Sequence, residues 1–193
     1  TSLPKVESFD WLVVMGGPMG VSDSNKYPWL CLEVDLIKSA ITNGKRILGV
    51  CLGAQLMASA MGAKISRNEE KEIGWFPVDK EGNENTAFTK DTPRTFDAFD
   101  WHGDTFDIPQ GGEHLFSSAA TLNQGFCIGT SVLALQFHLE LGVGDATRIA
   151  NACLNDLSPG TYIQQPKEFL SKNDLFANAN NLMGRLLATL EKG

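Results

Sequence analysis

Apolar residues follow two rhythms along this chain, and the change between them marks out its elements. Trp11-Leu12-Val13-Val14-Met15 is a continuous apolar run closed by Gly16-Gly17-Pro18-Met19-Gly20, which predicts a buried strand ending in a turn. Across residues 29–42, Leu30, Val34, Ile37 and Ile41 recur at helical spacing, and Gly44 is placed to end that helix. Ile47, Leu48 and Val50 then lead into Cys51, and helix formers fill residues 54–61, so residues 45–63 read as strand, sharp turn and helix. Alternation of this kind builds parallel sheets covered by helices.

From residue 64 to residue 120 the apolar stretches shorten, as at 64–66 and 74–78, and predict short strands and loops folded over one end of the sheet. The mixed-sign cluster Glu69-Glu70-Lys71-Glu72 reads as a solvated loop, and Phe96, Phe99, Trp101 and Phe106 read as packing residues. Residues 125–128 and 132–137 form a hairpin around Gly129-Thr130-Ser131. Helices are predicted over 146–154 and 175–190, separated by breakers at Ser158-Pro159-Gly160 and Gln165-Pro166. Leu182, Met183, Leu186, Leu187 and Leu190 form the core-facing side of the second.

Composition narrows the class. At 193 residues the chain fits one domain spanning residues 1–193. A formal charge of -7 argues against a nucleic-acid surface, and no apolar run is long enough to span a bilayer. Cys31, Cys51, Cys127 and Cys153 lie far apart without CxxC pairs, which gives neither a zinc pattern nor a disulfide framework. That usage suits a reducing cytoplasm, with Cys31, Cys127 and Cys153 as small core residues.

Cys51 differs from those three because it occupies a turn between strand and helix. A helix N-terminus supplies partial positive charge and free N–H groups, which favour the thiolate. The chain offers His102, His114 and His138 as bases. His138 ends an apolar strand-like run, and strand alternation puts Glu140 on the same face, about 6.5–7 Å away at Cα. Cys51, His138 and Glu140 thus take the roles of nucleophile, general base and acid, and orienter. The N–H of Leu52 and that of Gly17 are placed to form an oxyanion hole.

These motifs resemble the class I, or triad, glutamine amidotransferases, particularly the stand-alone proteins similar to the amidotransferase domain of GMP synthase. The resemblance rests on GGPMG at 16–20, PWL at 28–30, GVCLGAQL at 49–56, EIGW at 72–75, WHGDTF at 101–106 and LQFHLE at 135–140, in the family's order. It implies a doubly wound α/β fold, a mostly parallel sheet flanked by helices in a flavodoxin-like three-layer arrangement, with a small antiparallel section. It also implies hydrolysis of a γ-glutamyl amide through a thioester on Cys51, without metal or organic cofactor. Gln55 and the backbone around Trp101, His102 and Gly103 would hold the glutamyl end.

Two departures are mild: Ala54 stands where the family often has histidine, and Leu139 where it often has proline. A third is larger, because the family begins with a strand–helix–strand unit of roughly 30 residues or more ahead of the strand at Trp11. The expectation is a domain that is N-terminally incomplete relative to the family. Three functions stay open: a glutaminase supplying ammonia to a separate synthase subunit, a γ-glutamyl peptidase or hydrolase, and a catalytically silent binding or regulatory subunit.

Overall fold

The computed structural model describes residues 3–81, 86–90 and 92–193. Strand β1 (Trp11–Val14) leads to helix α1 (Trp29–Thr42), strand β2 (Arg46–Val50) and helix α2 (Leu52–Ala60). The long strands β3 (Ile65–Lys80) and β4 (Thr95–Phe106) follow, then β5 (Glu113–Ser118), β6 (Gly125–Ile128) and β7 (Val132–Leu135). Helices α3 (Val143–Ala152), α4 (Pro166–Phe169) and α5 (Asn173–Lys192) close the chain.

All seven strands form one sheet in the order β1-β2-β7-β6-β5-β3-β4. β1, β2 and β7 run parallel, and every later pairing is antiparallel. The sheet curls, so that β4 returns to the end of β7. There Phe99 N–H donates to the His138 carbonyl at 3.3 Å, and His138 N–H donates to the Phe99 carbonyl at 2.7 Å.

The layers follow from alternation along the central strands. Ile47 of β2, with Val132 and Ala134 of β7, faces α1 and α2, where Leu30, Ile37, Leu56 and Met57 meet them. Leu48 and Val50, with Leu133 and Leu135, face the opposite way onto α5 and the aromatic residues of β4 and β5. Each such fully buried Leu, Ile or Phe contributes about 1.5–3 kcal/mol. The sequence places α1 at its observed bounds, and Gly44 follows it with φ of 64°. On α5, Leu182, Met183, Leu186 and Leu190 are buried, while Leu187 packs at the margin.

The antiparallel section is larger than the short apolar stretches suggest. β3 and β4 are 16 and 12 residues long and form one ribbon, with a register shift between Arg67 and Glu72. Polar residues hide it in the sequence, because the register shift between Arg67 and Glu72 interrupts the alternation and leaves Glu69 and Glu70, neighbours along the strand, both exposed. The charge cluster at 69–72 is therefore strand and not loop. Glu69 and Glu70 are exposed, but Glu72 is fully buried. β7 stops at Leu135, two residues short of the expected 137, because the chain leaves β6 there to meet β4. Cys127 is buried as expected, whereas Cys31 is exposed and Cys153 is half-buried. No helix among the described residues is long and apolar enough to cross a membrane.

Candidate active site

Cys51 sits at the junction of β2 and α2 with φ 55° and ψ −112°, and it is the only non-glycine residue with positive φ among those described. A non-glycine residue held there costs of order 1–3 kcal/mol, so the surroundings must enforce the geometry. They do so by close packing. Cys51 N–H donates to the Leu135 carbonyl at 2.8 Å, and a Cβ on Gly53 would collide with the Val14 carbonyl, so α2 lies directly against β1. The bend presents the thiol at the helix N-terminus, with Sγ 3.8 Å from the Trp101 carbonyl.

His138 and Glu140 meet Cys51 from the loop after β7. The His138 ring places Nδ1 2.6 Å from Glu140 Oε1, and the other carboxylate oxygen accepts from Leu139 N–H at 3.1 Å. Glu140 is thereby fixed through both oxygens. Burial opposes a charged ring at His138, but its contacts with Cys51 and Glu140 outweigh this and push its pKa up to about 10. Burial likewise opposes a thiolate at Cys51. The hydrogen bond and charge of His138, the charge of His102 and the Leu52 N–H nevertheless hold its pKa below the usual thiol value. The two groups are coupled, each favouring the charged form of the other.

All nine residues singled out in the sequence line one cavity of about 920 Å³. Cys51, His138 and Glu140 stand together, with Gly17 and Leu52 beside the thiol and Gln55, Trp101, His102 and Gly103 along the wall. Gln55 Nε2 is turned inward, donating to Gln136 Oε1 at 3.1 Å and to the Asp104 carbonyl at 3.3 Å. The Trp101 indole donates to Asp156 at 3.4 Å, and Lys71 reaches the same carboxylate at 2.8 Å.

The His102 side chain belongs to a buried charge cluster. Its Nε2 lies 3.4 Å from Glu72 Oε2 and 3.4 Å from Asp100 Oδ1, while Nδ1 is 3.1 Å from the Asp104 carbonyl. Donor-type atoms of Glu72, Asp100 and His102 come within 4.8 Å of one another. The Glu72 oxygens are already engaged, however, by Ser118 at 2.7 Å, Thr121 at 2.6 Å and Gln124 at 2.9 Å. The cluster is an internal ion network.

Three further residues were not singled out in the sequence. A Cβ on Gly16 would sit 3.2 Å from His138 Cε1 and 3.3 Å from Cys51 Cβ, so only glycine lets these two side chains approach the turn freely. The charged neighbours of Glu72 point to solvent in the sequence, whereas its place opposite His102 depends on the ribbon's register. Asn180 on α5 donates to the carbonyls of Leu139 at 2.7 Å and Leu141 at 3.0 Å, bracketing Glu140. Asn180 stands in an asparagine-rich stretch beside the buried face of α5, and nothing in the sequence separates it from Asn178 and Asn181.

The chain as a whole is similar to several known proteins. The family profile described as glutamine amidotransferase class-I matches residues 1–155. The glutamine amidotransferase-like protein YfeJ of Salmonella typhimurium is 30% identical over 144 residues, covering 72% of this chain and 60% of that protein. The glutamine-hydrolysing GMP synthase of Vibrio vulnificus is 33% identical over 105 residues, 53% of this chain and 18% of the synthase. The chain therefore spans less than two thirds of either relative. A crystal structure of a glutamine amidotransferase from Thermotoga maritima superposes with a TM-score of 0.87 at 32% identity, covering 99% of this chain and 82% of that one. One from Methylobacillus flagellatus gives 0.91 at 26% identity, covering 99% and 80%.

Proposed function

The chain belongs to the class I glutamine amidotransferase family, and from that premise we propose that it hydrolyses a γ-glutamyl carboxamide, converting glutamine to glutamate and ammonia. The observation that carries this reading is Cys51, held at positive φ on a helix N-terminus and coupled to a His138 that is itself tied to Glu140.

In this reading the Cys51 thiolate attacks the carboxamide carbon, and the N–H groups of Gly17 and Leu52 receive the oxyanion. His138, already protonated in the pair, gives its proton to the departing nitrogen as the C–N bond breaks, leaving a thioester and a neutral ring. His138 then takes a proton from water, whose oxygen attacks the thioester; the C–S bond breaks, releasing glutamate and restoring the Cys51 thiolate beside the protonated ring. Glu140 holds the ring in place through both steps. Gln55 and the backbone of Trp101, His102 and Gly103 seat the glutamyl end. The ammonia would pass to a separate synthase, in keeping with the likeness to GMP synthases, and a reducing cytoplasm would keep Cys51 as a thiol.

The cavity volume favours a second reading. Glutamine has about ten non-hydrogen atoms, whereas pockets of roughly 300–1,000 Å³ enclose drug-sized ligands. A volume of about 920 Å³ leaves room for a larger leaving amine, as in a γ-glutamyl peptide.

The test is glutamate release by the purified protein from glutamine and from γ-glutamyl peptides such as glutathione, with Cys51→Ala as the blank. Release that disappears in Cys51→Ala supports the mechanism, and the faster substrate chooses between the readings. Undiminished release by the variant would remove Cys51 as nucleophile, and silence of the intact protein on both substrates would favour a binding or regulatory role.

A further inference from the structure

The side chains of Glu72, Asp100 and His102 take no chemical step in the mechanism above, yet they are buried together between β3 and β4 at the wall of the cavity. Glu72 and His102 are cross-strand partners, and Asp100 lies two residues along on the same face of β4. Both ring nitrogens of His102 face oxygen acceptors: Nδ1 faces the Asp104 carbonyl, and Nε2 faces the two carboxylates. A neutral imidazole has one N–H and would leave one nitrogen facing an acceptor without a proton. The imidazolium carries a proton on both: Nδ1 toward the Asp104 carbonyl, and Nε2 toward the two carboxylates, which pair with it as charges at 3.4 Å and not through a hydrogen bond.

The two carboxylates are not equivalent. Glu72 accepts from Ser118, Thr121 and Gln124, so it is the stable anion. Asp100 has one oxygen 3.3 Å from Gln124 Nε2, and its Oδ2 has no hydrogen-bond partner. It is the member able to carry an extra proton.

The cluster also touches the site through its backbone. The Asp104 carbonyl that faces His102 also accepts from Gln55, and the Trp101 carbonyl next to His102 is the one that contacts Cys51 Sγ. We infer that His102 is a positioning residue: a buried imidazolium at neutral pH, held between the charges of Glu72 and Asp100, that fixes the strand segment from Trp101 to Asp104 and presents positive charge to the Cys51 thiolate. The electrostatics agree. Burial works against the charged ring, but the contacts with Asp100 and Glu72 push its pKa up to about 10, and its charge favours the Cys51 thiolate. Asp100 is pushed up to about 6 by burial and by the Glu72 charge, against the pull of His102 and His138.

The remaining charged groups nearby are accounted for. His138 and Glu140 face Cys51 from beyond β7. Arg67 and Lys71 lie over Gly103 and are paired with Asp104 and Asp156.

The inference rests on the proposed role of Cys51, but its test does not depend on turnover. The chain has three histidines, so ¹⁵N-histidine NMR of the intact protein resolves them, with His102→Gln assigning the signal. Both His102 nitrogens are expected at imidazolium shifts at pH 8; a neutral ring at that pH overturns the inference. The second measurement is the pH profile of Cys51 alkylation by iodoacetamide, read by mass spectrometry. His102→Gln removes the ring, and Glu72→Gln/Asp100→Asn removes both partners at constant volume. Each is expected to move the alkylation midpoint up by about one pH unit. Lowered melting temperature with an unmoved midpoint would make the cluster merely structural and overturn the inference. A shifted midpoint in a protein that releases no glutamate would sink the amidase reading and leave this one standing.

Discussion

At the scale of single residues, the site depends on how few orientations each group retains. Glu140 spends both oxygens on His138 and on the Leu139 N–H, so it serves the ring and the loop at once. Glu140→Gln keeps the size but puts an amide where a full charge stabilised the imidazolium. The expected loss in glutamate release is roughly 10²–10⁴-fold with little change in fold, measured as kcat alongside circular dichroism. Gly16→Ala tests the same tolerance sterically: a methyl group 3.2 Å from His138 Cε1 must displace the ring, and a lower kcat at near-constant melting temperature is expected. The thiols provide an internal control. Burial pushes Cys127 up to about 12, whereas Cys51 is held below the ordinary thiol range, so iodoacetamide near pH 7 should label Cys51 and spare Cys127. Equal labelling of both would show that the thiolate at Cys51 is not favoured.

At the scale of elements, α5 does more than cover the sheet. Its apolar face buries Phe176, Leu182, Met183, Leu186 and Leu190, and that packing delivers Asn180 to the two carbonyls around Glu140. Asn180→Ala removes both bonds, with an expected cost of about 1–3 kcal/mol and a loosened loop. A kcat loss of roughly 10- to 100-fold is expected from the misplaced carboxylate, and wild-type kinetics in a folded variant would refute the role. The elements that carry a plain apolar signal are legible in the sequence: α1 and α5 from helical spacing, β2 from its apolar run, α2 from its helix formers, and the Cys51 turn from its flanking residues. The β3–β4 ribbon is not, because its register shift between Arg67 and Glu72 breaks the alternation that marks a strand. Glu72 was lost with it, since a buried carboxylate opposite a histidine is a fact of register and leaves no local trace. The cavity residues were legible through motifs spread over residues 16–140, while Gly16 and Asn180 act by space and by backbone contact, which composition does not report.

For the molecule as a whole, folding buries charge on both sides of neutrality, and linkage fixes how stability must vary with pH. His102 and His138 stand at about 10 in the folded chain against an ordinary 6.5, so the folded state keeps protons that the unfolded chain releases. Their contribution is complete below about pH 6.5 and is lost as pH rises toward about 10. Cys51 works in the opposite sense: its folded value is lowered from 9.0, so its contribution grows as pH rises toward 9 and offsets part of the loss at His138. Asp100, raised from 3.8 to about 6, contributes only in acid and is spent by neutrality. Glu72, lowered from 4.5, contributes above that value and loses it only as the solution turns acidic. His102 is then the uncompensated group between pH 7 and 9.5. The melting temperature should fall across that window, by about 2–4 °C for each kcal/mol of stability lost. In His102→Gln the protein should melt lower at pH 7 but with a flatter dependence on pH, because the group that sheds its proton is gone. Parallel curves for the two proteins would mean that the buried ring does not carry the charge that its neighbours are arranged to hold.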